Sequence, residues 1–280
     1  MKQVRLNNGV MMPALGYGVF QIPPKDTQKA VEEALAAGYR MIDTAQAYFN
    51  EAEVGAAIAH SGLKRDEIFV STKLWVKDYE TDDARRAFDE SMQKLGLDTL
   101  DLYMLHKPFG NYYAAWRVLE SLYKDGSIRA IGVTSFTDER LQDLMLHNEI
   151  SPMVNQVETN PWCQRTATNK FLKEHGIQQE AWSPFAEAKD GIFTNPVLVE
   201  ISKTHGKTVG QIILRWLNQN GVVSIAKTIR PERMAENLGI YDFSLSADEM
   251  TSIVSLDGQH VPVVDENDIN VAKYISSLKF

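Results

Sequence analysis

The chain has 280 residues, a net charge of −8 and a single cysteine, Cys163. This length is compatible with one barrel or with two smaller domains, and the negative charge argues against nucleic acid or an anionic membrane as a partner. The lone cysteine excludes an internal disulfide. The N-terminal residues lack the apolar core of a signal peptide, so we expect a cytoplasmic protein. The chain has no run of about 18 apolar residues, so we expect no membrane-spanning segment. No long apolar stripe stands out, so we expect a monomer.

The predicted elements begin with a hairpin and continue as alternating strands and helices. Residues 3–13 form the hairpin, which turns at Asn7-Asn8-Gly9. Helical patterns, such as those over residues 26–38, 51–62, 81–96 and 114–126, follow the strands, and two more at 195–206 and 208–221 precede the last strand. The eight predicted strands are Leu15–Val19, Tyr39–Thr44, Ile68–Lys73, Asp101–His106, Ile128–Thr134, Met153–Val157, Ile177–Trp182 and Val222–Lys227.

Eight strand–helix units in fewer than 300 residues, without a linker, predict a closed (β/α)8 barrel that forms a single domain over residues 1–280. The hairpin precedes the first unit and can plug the bottom of this barrel. A doubly wound sheet is the alternative, and its nucleotide-binding form carries G-x-G-x-x-G after the first strand. The chain has Gly16-Tyr17-Gly18 at that place, without the third glycine.

Four ionisable side chains lie at or just beyond the ends of the second, third and fourth predicted strands: Asp43, Tyr48, Lys73 and His106. Active sites of barrels lie at these carboxyl ends. Each residue has an ordinary explanation on its own, such as a rim lysine, a core histidine, a turn-capping aspartate or a loop aromatic. Their occurrence together on consecutive strands makes coincidence the weaker interpretation.

The four side chains together suit proton donation to a carbonyl oxygen. A free tyrosine, with a pKa of about 10, is a poor acid at neutral pH, and a neighbouring ammonium lowers that pKa. Lys73 supplies this cation, Asp43 keeps it charged and oriented, and His106 donates a hydrogen bond to the same oxygen. Because none of the four is an electron donor, a reductase of this design must bind its hydride source.

Beyond these positions the chain carries six segments in a recognisable order: GYRMIDTAQAYFNEAEVG, STKLW, DLYMLHKP, NQVETNP, QIILRWLNQNGVVSIAKTIRPERMAENL and DFSLSADEM. In these segments and their order the sequence resembles the aldo-keto reductases over nearly its whole length, and most of all their bacterial 2,5-diketo-gluconate and methylglyoxal reductase members. The resemblance implies a reductase that converts aldehydes or ketones to alcohols with NADPH, with these four residues as the catalytic set and Tyr48 as the general acid.

The resemblance also implies a cofactor site along the strand ends. Trp182 would stack on the nicotinamide, and Gln156, Thr134 and Ser135 would bind its carboxamide. Most relatives have asparagine where this chain has Ser135, so the shorter side chain puts one of these hydrogen bonds in doubt. The loop over residues 183–193 would cover the pyrophosphate, with Ser183 as a donor.

At the adenosine end the family pattern falls on the segment KTIRPERMAEN. Lys227, Thr228 and Arg233 would bind the 2′-phosphate, a dianion that a lysine and a planar guanidinium suit, which predicts NADPH rather than NADH. Glu236 and Asn237 would contact the adenine. Ala226 stands where proline is common, and this departure removes no ligand.

On the substrate side, Phe20, Trp75 and Phe109 are expected to form an apolar cup with Tyr48. Many relatives carry tryptophan directly after the catalytic histidine, whereas this chain has Lys107. Two interpretations stay open: the cation favours substrates that bear a carboxylate, or the side chain points into solvent.

Two other functions are compatible with the sequence. Lys73 is a candidate nucleophile for a Schiff-base aldolase, although an aldolase needs no phosphate site of the kind implied by Lys227 and Arg233. A barrel that senses NADPH with slow turnover, as a regulatory subunit, is the other. A metal hydrolase is the weakest alternative, since the six histidines show no H-x-H or H-E-x-x-H pair, and no metal is expected.

Overall fold

Eight parallel strands form a closed barrel in the computed structural model, which describes residues 2–265 and 267–278. Neighbouring strands pair in chain order, and the last strand closes the barrel against the first. The strands are β3 (Leu15–Gly18), β4 (Met41–Asp43), β5 (Phe69–Leu74), β6 (Leu102–Leu105), β7 (Ile131–Thr134), β8 (Val154–Glu158), β9 (Gln178–Trp182) and β10 (Val223–Ala226). The predicted (β/α)8 barrel is confirmed, because every predicted strand has its counterpart.

The N-terminal hairpin is also confirmed and consists of β1 (Gln3–Arg5) and β2 (Met11–Pro13), which pair antiparallel. Its turn contacts the start of the barrel strands: Asn7 Nδ2 donates to the Pro152 carbonyl at 3.2 Å, and Asn8 Nδ2 to that of Arg129 at 2.9 Å. Since both carbonyls precede strands of the barrel, the hairpin covers the end opposite to the carboxyl ends.

Helices follow the strands and bury their apolar faces against the sheet. The described helices are α1 (Pro24–Ala37), α2 (Glu51–His60), α3 (Thr81–Leu95), α4 (Tyr112–Lys124), α5 (Asp138–Leu146), α6 (Thr166–Glu174), α7 (Pro196–His205), α8 (Val209–Gln219), α9 (Pro231–Leu238), α10 (Ala247–Val254) and α11 (Ile269–Ser277). In the described part of the chain, no helix combines the length and the apolar character that crossing a membrane needs.

The two glycines of Gly16-Tyr17-Gly18 serve packing inside the barrel. A Cβ atom on Gly16 would lie 2.5 Å from the Ile225 side chain, and one on Gly18 would lie 2.6 Å from it. Any larger residue would therefore collide with β10. This close packing explains a G-x-G sequence that lacks the third glycine of a phosphate-binding turn.

Candidate active site

An ion pair lies buried at the carboxyl end of the barrel. Lys73 Nζ donates to Asp43 Oδ1 at 2.6 Å and to the Thr44 carbonyl at 2.8 Å, and the Lys73 side chain is fully buried. Ser71 Oγ donates to the other Asp43 oxygen at 2.8 Å. Burial by itself would lower the pKa of Lys73, but the Asp43 charge and the Tyr48 phenol outweigh it and hold that pKa above its usual value. Lys73 is therefore a fixed cation.

Tyr48 lies directly above this ion pair, at the end of the short helical turn Gln46–Tyr48. The Lys73 ammonium is 5.3 Å from the centre of the Tyr48 ring. Burial raises the pKa of Tyr48, and the charge and hydrogen bond of Lys73 offset only part of that rise. The sequence predicts a phenol more acidic than usual, but in the structure the pKa of Tyr48 is raised, because the loss of water on burial outweighs the effect of the Lys73 cation.

His106 lies beside Tyr48 in the same cavity. The two ring centres are 5.6 Å apart, and the Trp75 ring is 5.0 Å from the imidazole on another side. Burial, aided by the positive charges of Lys73 and Lys107, holds the pKa of His106 well below its usual value. The imidazole is therefore neutral, with one N–H to donate, and its Nδ1 atom has no hydrogen-bond partner among the described residues.

A second buried carboxyl group adjoins this cluster, and sequence reasoning missed it. Glu180 on β9 is fully buried, and its Oε2 atom accepts from Gln156 Nε2 at 2.8 Å. The same nitrogen donates to Asp43 Oδ2 at 3.2 Å. Burial and the nearby Asp43 charge raise the pKa of Glu180 to about 8. The available signal was an acidic residue inside a buried strand, in the run IQQEAW.

A cavity of about 650 Å³ opens above these groups. The structure brings most of the residues singled out in the sequence to its wall, while Lys73 lies beneath the floor. The predicted residues that line it are Phe20, Asp43, Tyr48, Trp75, His106, Lys107, Thr134, Ser135, Gln156, Trp182, Ser183, Lys227 and Arg233.

Lys107 points into the cavity, so the interpretation that it points into solvent is wrong. Its Nζ atom donates to Ser135 Oγ at 3.1 Å and lies 5.7 Å from the Trp182 ring centre. Lys107 and Ser135, two of the three positions at which this chain departs from the family pattern, are thus in direct contact. Thr134, next to Ser135, donates from Oγ1 to the His106 carbonyl.

Four predicted residues lie away from the cavity wall. The Phe109 ring is 5.5 Å from the Arg140 guanidinium and does not line the cup, so that prediction is wrong. Thr228 Oγ1 accepts from the Arg230 backbone N–H. Glu236 Oε1 accepts from Thr208 Oγ1 at 2.6 Å, and the Asn237 side chain is buried.

The C-terminal segment forms part of the cavity wall, which the sequence argument did not foresee. Val263, Val264 and Tyr274 contribute to the lining. Both valine N–H groups bind the buried Glu158 carboxylate, at 2.9 and 3.3 Å. Glu158 ends β8 and so ties this segment to the barrel. Among the described residues, no group of three or more His, Cys, Asp or Glu side chains is placed to hold a metal ion.

Comparisons with known proteins agree with this arrangement. A sequence profile of the Aldo/keto reductase family matches residues 5–257. Glyoxal reductase of Bacillus subtilis is 45% identical over 90% of this chain and 92% of its own length, and methylglyoxal reductase of Escherichia coli is 39% identical over 91% and 93%.

A solved structure, the aldo-keto reductase of Bombyx mori in complex with NADP, superposes with a TM-score of 0.89 at 31% identity, covering 97% of this chain and 96% of that one. The family match spans all eight barrel strands. The chain therefore belongs to the aldo/keto reductase family of oxidoreductases.

Proposed function

We propose that this protein reduces aldehydes and ketones to alcohols with NADPH and that Tyr48 is the proton donor. One observation carries the proposal: the Tyr48 phenol stands at the floor of an open cavity, above a fully buried Lys73–Asp43 ion pair and beside a neutral His106. Tyr48 as proton donor and His106 as hydrogen-bond donor thus face the same part of the cavity, and reduction of a carbonyl group requires both donors at its oxygen.

The residues along the cavity suit a nicotinamide dinucleotide. Trp182 offers a ring face, Gln156 a polar amide, and the exposed Lys227 and Arg233 offer cations for a phosphate at the far end. A bound nicotinamide cofactor supplies the hydride that the side chains cannot. The complex of the Bombyx mori relative with NADP supports this assignment.

The residues of the chain divide the proton chemistry among them. Tyr48 carries its proton throughout the physiological pH range, because burial raises its pKa. When that proton moves to the substrate oxygen, the Lys73 ammonium stabilises the phenolate left behind. Asp43 keeps the ammonium in place, and the neutral His106 orients the carbonyl. The ability of Tyr48 to donate its proton thus depends on how strongly Lys73 stabilises the phenolate that forms.

The same geometry disfavours the aldolase alternative. A Schiff-base lysine must be deprotonated to attack a carbonyl. Lys73 is fully buried beneath the cavity, is bound to two oxygen atoms, and has a raised pKa. Treatment with substrate and borohydride should therefore leave no covalent adduct on the protein.

We further propose that Lys107 favours carbonyl substrates that carry a carboxylate. Its ammonium projects into the cavity from the residue that follows His106, so it lies near the proposed position of the reacting carbonyl. The relatives named for glyoxal and methylglyoxal act on small dicarbonyl compounds. Small carbonyls with a polar or acidic neighbour group are therefore the substrates to test first.

The experiment is NADPH oxidation, followed by its absorbance, against methylglyoxal, neutral aldehydes, ketones, keto-sugars and aldehydes that carry a carboxylate. We expect multiple turnovers with several of these compounds. Tight NADPH binding without turnover on the whole panel would contradict the proposed reductase and would favour a cofactor-sensing barrel.

A further inference from the structure

Glu180 is a buried acid that has no part in the proposed proton transfer from Tyr48. It lies on β9 inside the barrel, fully buried, and Gln156 is its directly paired neighbour on β8. Its Oε1 atom has no hydrogen-bond partner among the described residues. An ionised carboxylate in such a place would lack the hydrogen bonds that normally offset its burial. A neutral carboxylic acid avoids most of that cost.

The groups that face Glu180 come from several elements. Asp43 on β4, Lys73 on β5 and Tyr48 after β4 are the ionisable ones. Its partner on β10, Val223, carries no charge. Asp43 and Lys73 already balance each other at 2.6 Å. A second carboxylate would therefore leave a net negative charge under the phenol.

Gln156 is held between the two carboxyl groups. Its side-chain nitrogen donates to Asp43 Oδ2 and to Glu180 Oε2, so both N–H bonds are used. Its oxygen is then the atom left for a ligand in the cavity that Gln156 lines. If the Gln156 amide were flipped, its oxygen would face the Asp43 carboxylate, which already accepts from Lys73. Two hydrogen-bond acceptors would then be in contact, so the flipped orientation is unfavourable.

We propose that Glu180 is a positioning residue of this site: as a neutral carboxylic acid it fixes the Gln156 amide and leaves Asp43 and Lys73 electrically balanced beneath Tyr48. Ionisation of Glu180 at alkaline pH adds a negative charge below the phenol. That charge opposes formation of the Tyr48 phenolate and thus slows proton donation. The activity part of this proposal rests on the proposed reductase function.

The test compares Glu180→Gln, which is neutral at every pH, with Glu180→Asp, which keeps an acid. In the wild type, kcat/KM for carbonyl reduction should fall above about pH 8. In Glu180→Gln this fall should move up by about one pH unit or more, because no charge can form there. Glu180→Asp should keep the alkaline fall, with a higher KM for NADPH since the shorter side chain no longer reaches Gln156.

Infrared difference spectroscopy of the cofactor-free protein gives a readout independent of turnover. A carboxylic acid carbonyl band should disappear as the pH rises between about 6 and 10, and Glu180→Gln should lack that band. Because no substrate is involved, this result tests Glu180 even if the protein reduces no carbonyl compound.

Glu120→Gln is the matched control, since Glu120 is also buried but accepts from the Ile150 N–H, on helix α4 far from the cavity. It should match the wild type in its pH profile and in the band assigned to Glu180. A pH profile for Glu180→Gln that coincides with the wild type, or an unchanged carbonyl band, would overturn the proposal. A Glu180→Gln protein that fails to fold would overturn it too, because a neutral group of the same shape must be tolerated.

Discussion

The floor and the rim of the cavity are built in different ways. At the floor and just beneath it, Asp43, Lys73, Gln156 and Glu180 come from four strands, are buried, and are linked by hydrogen bonds of 2.6–3.2 Å. At the rim, Lys227 and Arg233 are exposed. Side chains on strands are held in place by the barrel, whereas exposed side chains at the rim can adopt several conformations until a ligand binds.

The loop over residues 183–193 shows the character of the rim most clearly. Five of its non-glycine residues have positive φ angles between 46° and 60°: Ser183, Ala186, Glu187, Ala188 and Asp190. Such conformations are strained and persist only where the surroundings impose them. We expect this loop to rearrange before any part of the floor does. The floor should therefore govern turnover and stability, and the rim should govern recognition.

The largest effect is expected from Tyr48→Phe, which removes the proposed proton donor from the floor. Carbonyl reduction should fall by about 10²–10⁴-fold, while NADPH binding, followed by fluorescence titration, should change little. Tyr112→Phe, outside the cavity, is the control and should keep full activity. Rates near those of the wild type in Tyr48→Phe would remove Tyr48 from its role.

Lys73→Met should both inactivate and destabilise the protein. It leaves the buried Asp43 without its partner, and breaking a buried ion pair in this way costs about 3–5 kcal/mol. The free energy of unfolding, from urea titration, measures the loss. Lys170→Met, which removes an exposed lysine paired with the likewise exposed Glu174, should cost less than about 1 kcal/mol. Equal losses for the two variants would contradict the stabilising role of the buried ion pair.

Arg233→Ala tests recognition at the rim. Loss of a charge-assisted hydrogen bond to phosphate should raise the KM for NADPH by about 10–100-fold and leave the KM for NADH nearly unchanged. The neighbouring Arg230→Ala is the control, since Arg230 does not line the cavity. An equal fold-increase in KM for NADPH and for NADH would show that Arg233 does not bind the 2′-phosphate.

Lys107→Met should have a smaller, selective effect. We expect kcat/KM to fall about 5- to 10-fold for aldehydes that carry a carboxylate, because one charged hydrogen bond is lost, and to stay close to the wild type for neutral aldehydes. Lys64→Met, on the surface, should affect neither class. If acidic and neutral substrates lose activity equally, Lys107 does not select acids.

A further effect concerns the dependence of stability on pH. The pKa of Glu180 is raised from 4.5 to about 8 by folding, so between these values the folded protein binds more protons than the unfolded chain, and its stability falls as the pH rises. Glu180→Gln lacks this loss. Its Tm should therefore exceed that of the wild type by a margin that widens up to about pH 8. Each kcal/mol of difference in the free energy of unfolding corresponds to about 2–4 °C in Tm. A constant margin would contradict the assigned titration.

The repeating pattern of the chain and the turn Asn7-Asn8-Gly9 were sufficient to predict the barrel and its hairpin, whereas the family resemblance supplied many of the residues of the cavity wall. Strand ends are where sequence reading works best, because Asp43, Lys73 and His106 each follow an apolar run that must be buried. Phe109 was misplaced because it lies beyond the strand, where the path of the loop decides which side chains turn inward. The C-terminal wall at Val263 and Val264 was missed because its position depends on Glu158, far away along the chain.

The sequence by itself determined the order of strands and helices, the residue types at the strand ends and the family, since periodicity and motifs are local properties. Only the tertiary structure decided how those groups interact. It showed that burial outweighs Lys73 in setting the pKa of Tyr48, that Glu180 shares an amide with Asp43, and that Lys107 turns towards Ser135. Loss of water and electrostatic coupling depend on distances between residues far apart in the chain, and those distances exist only once the barrel has closed.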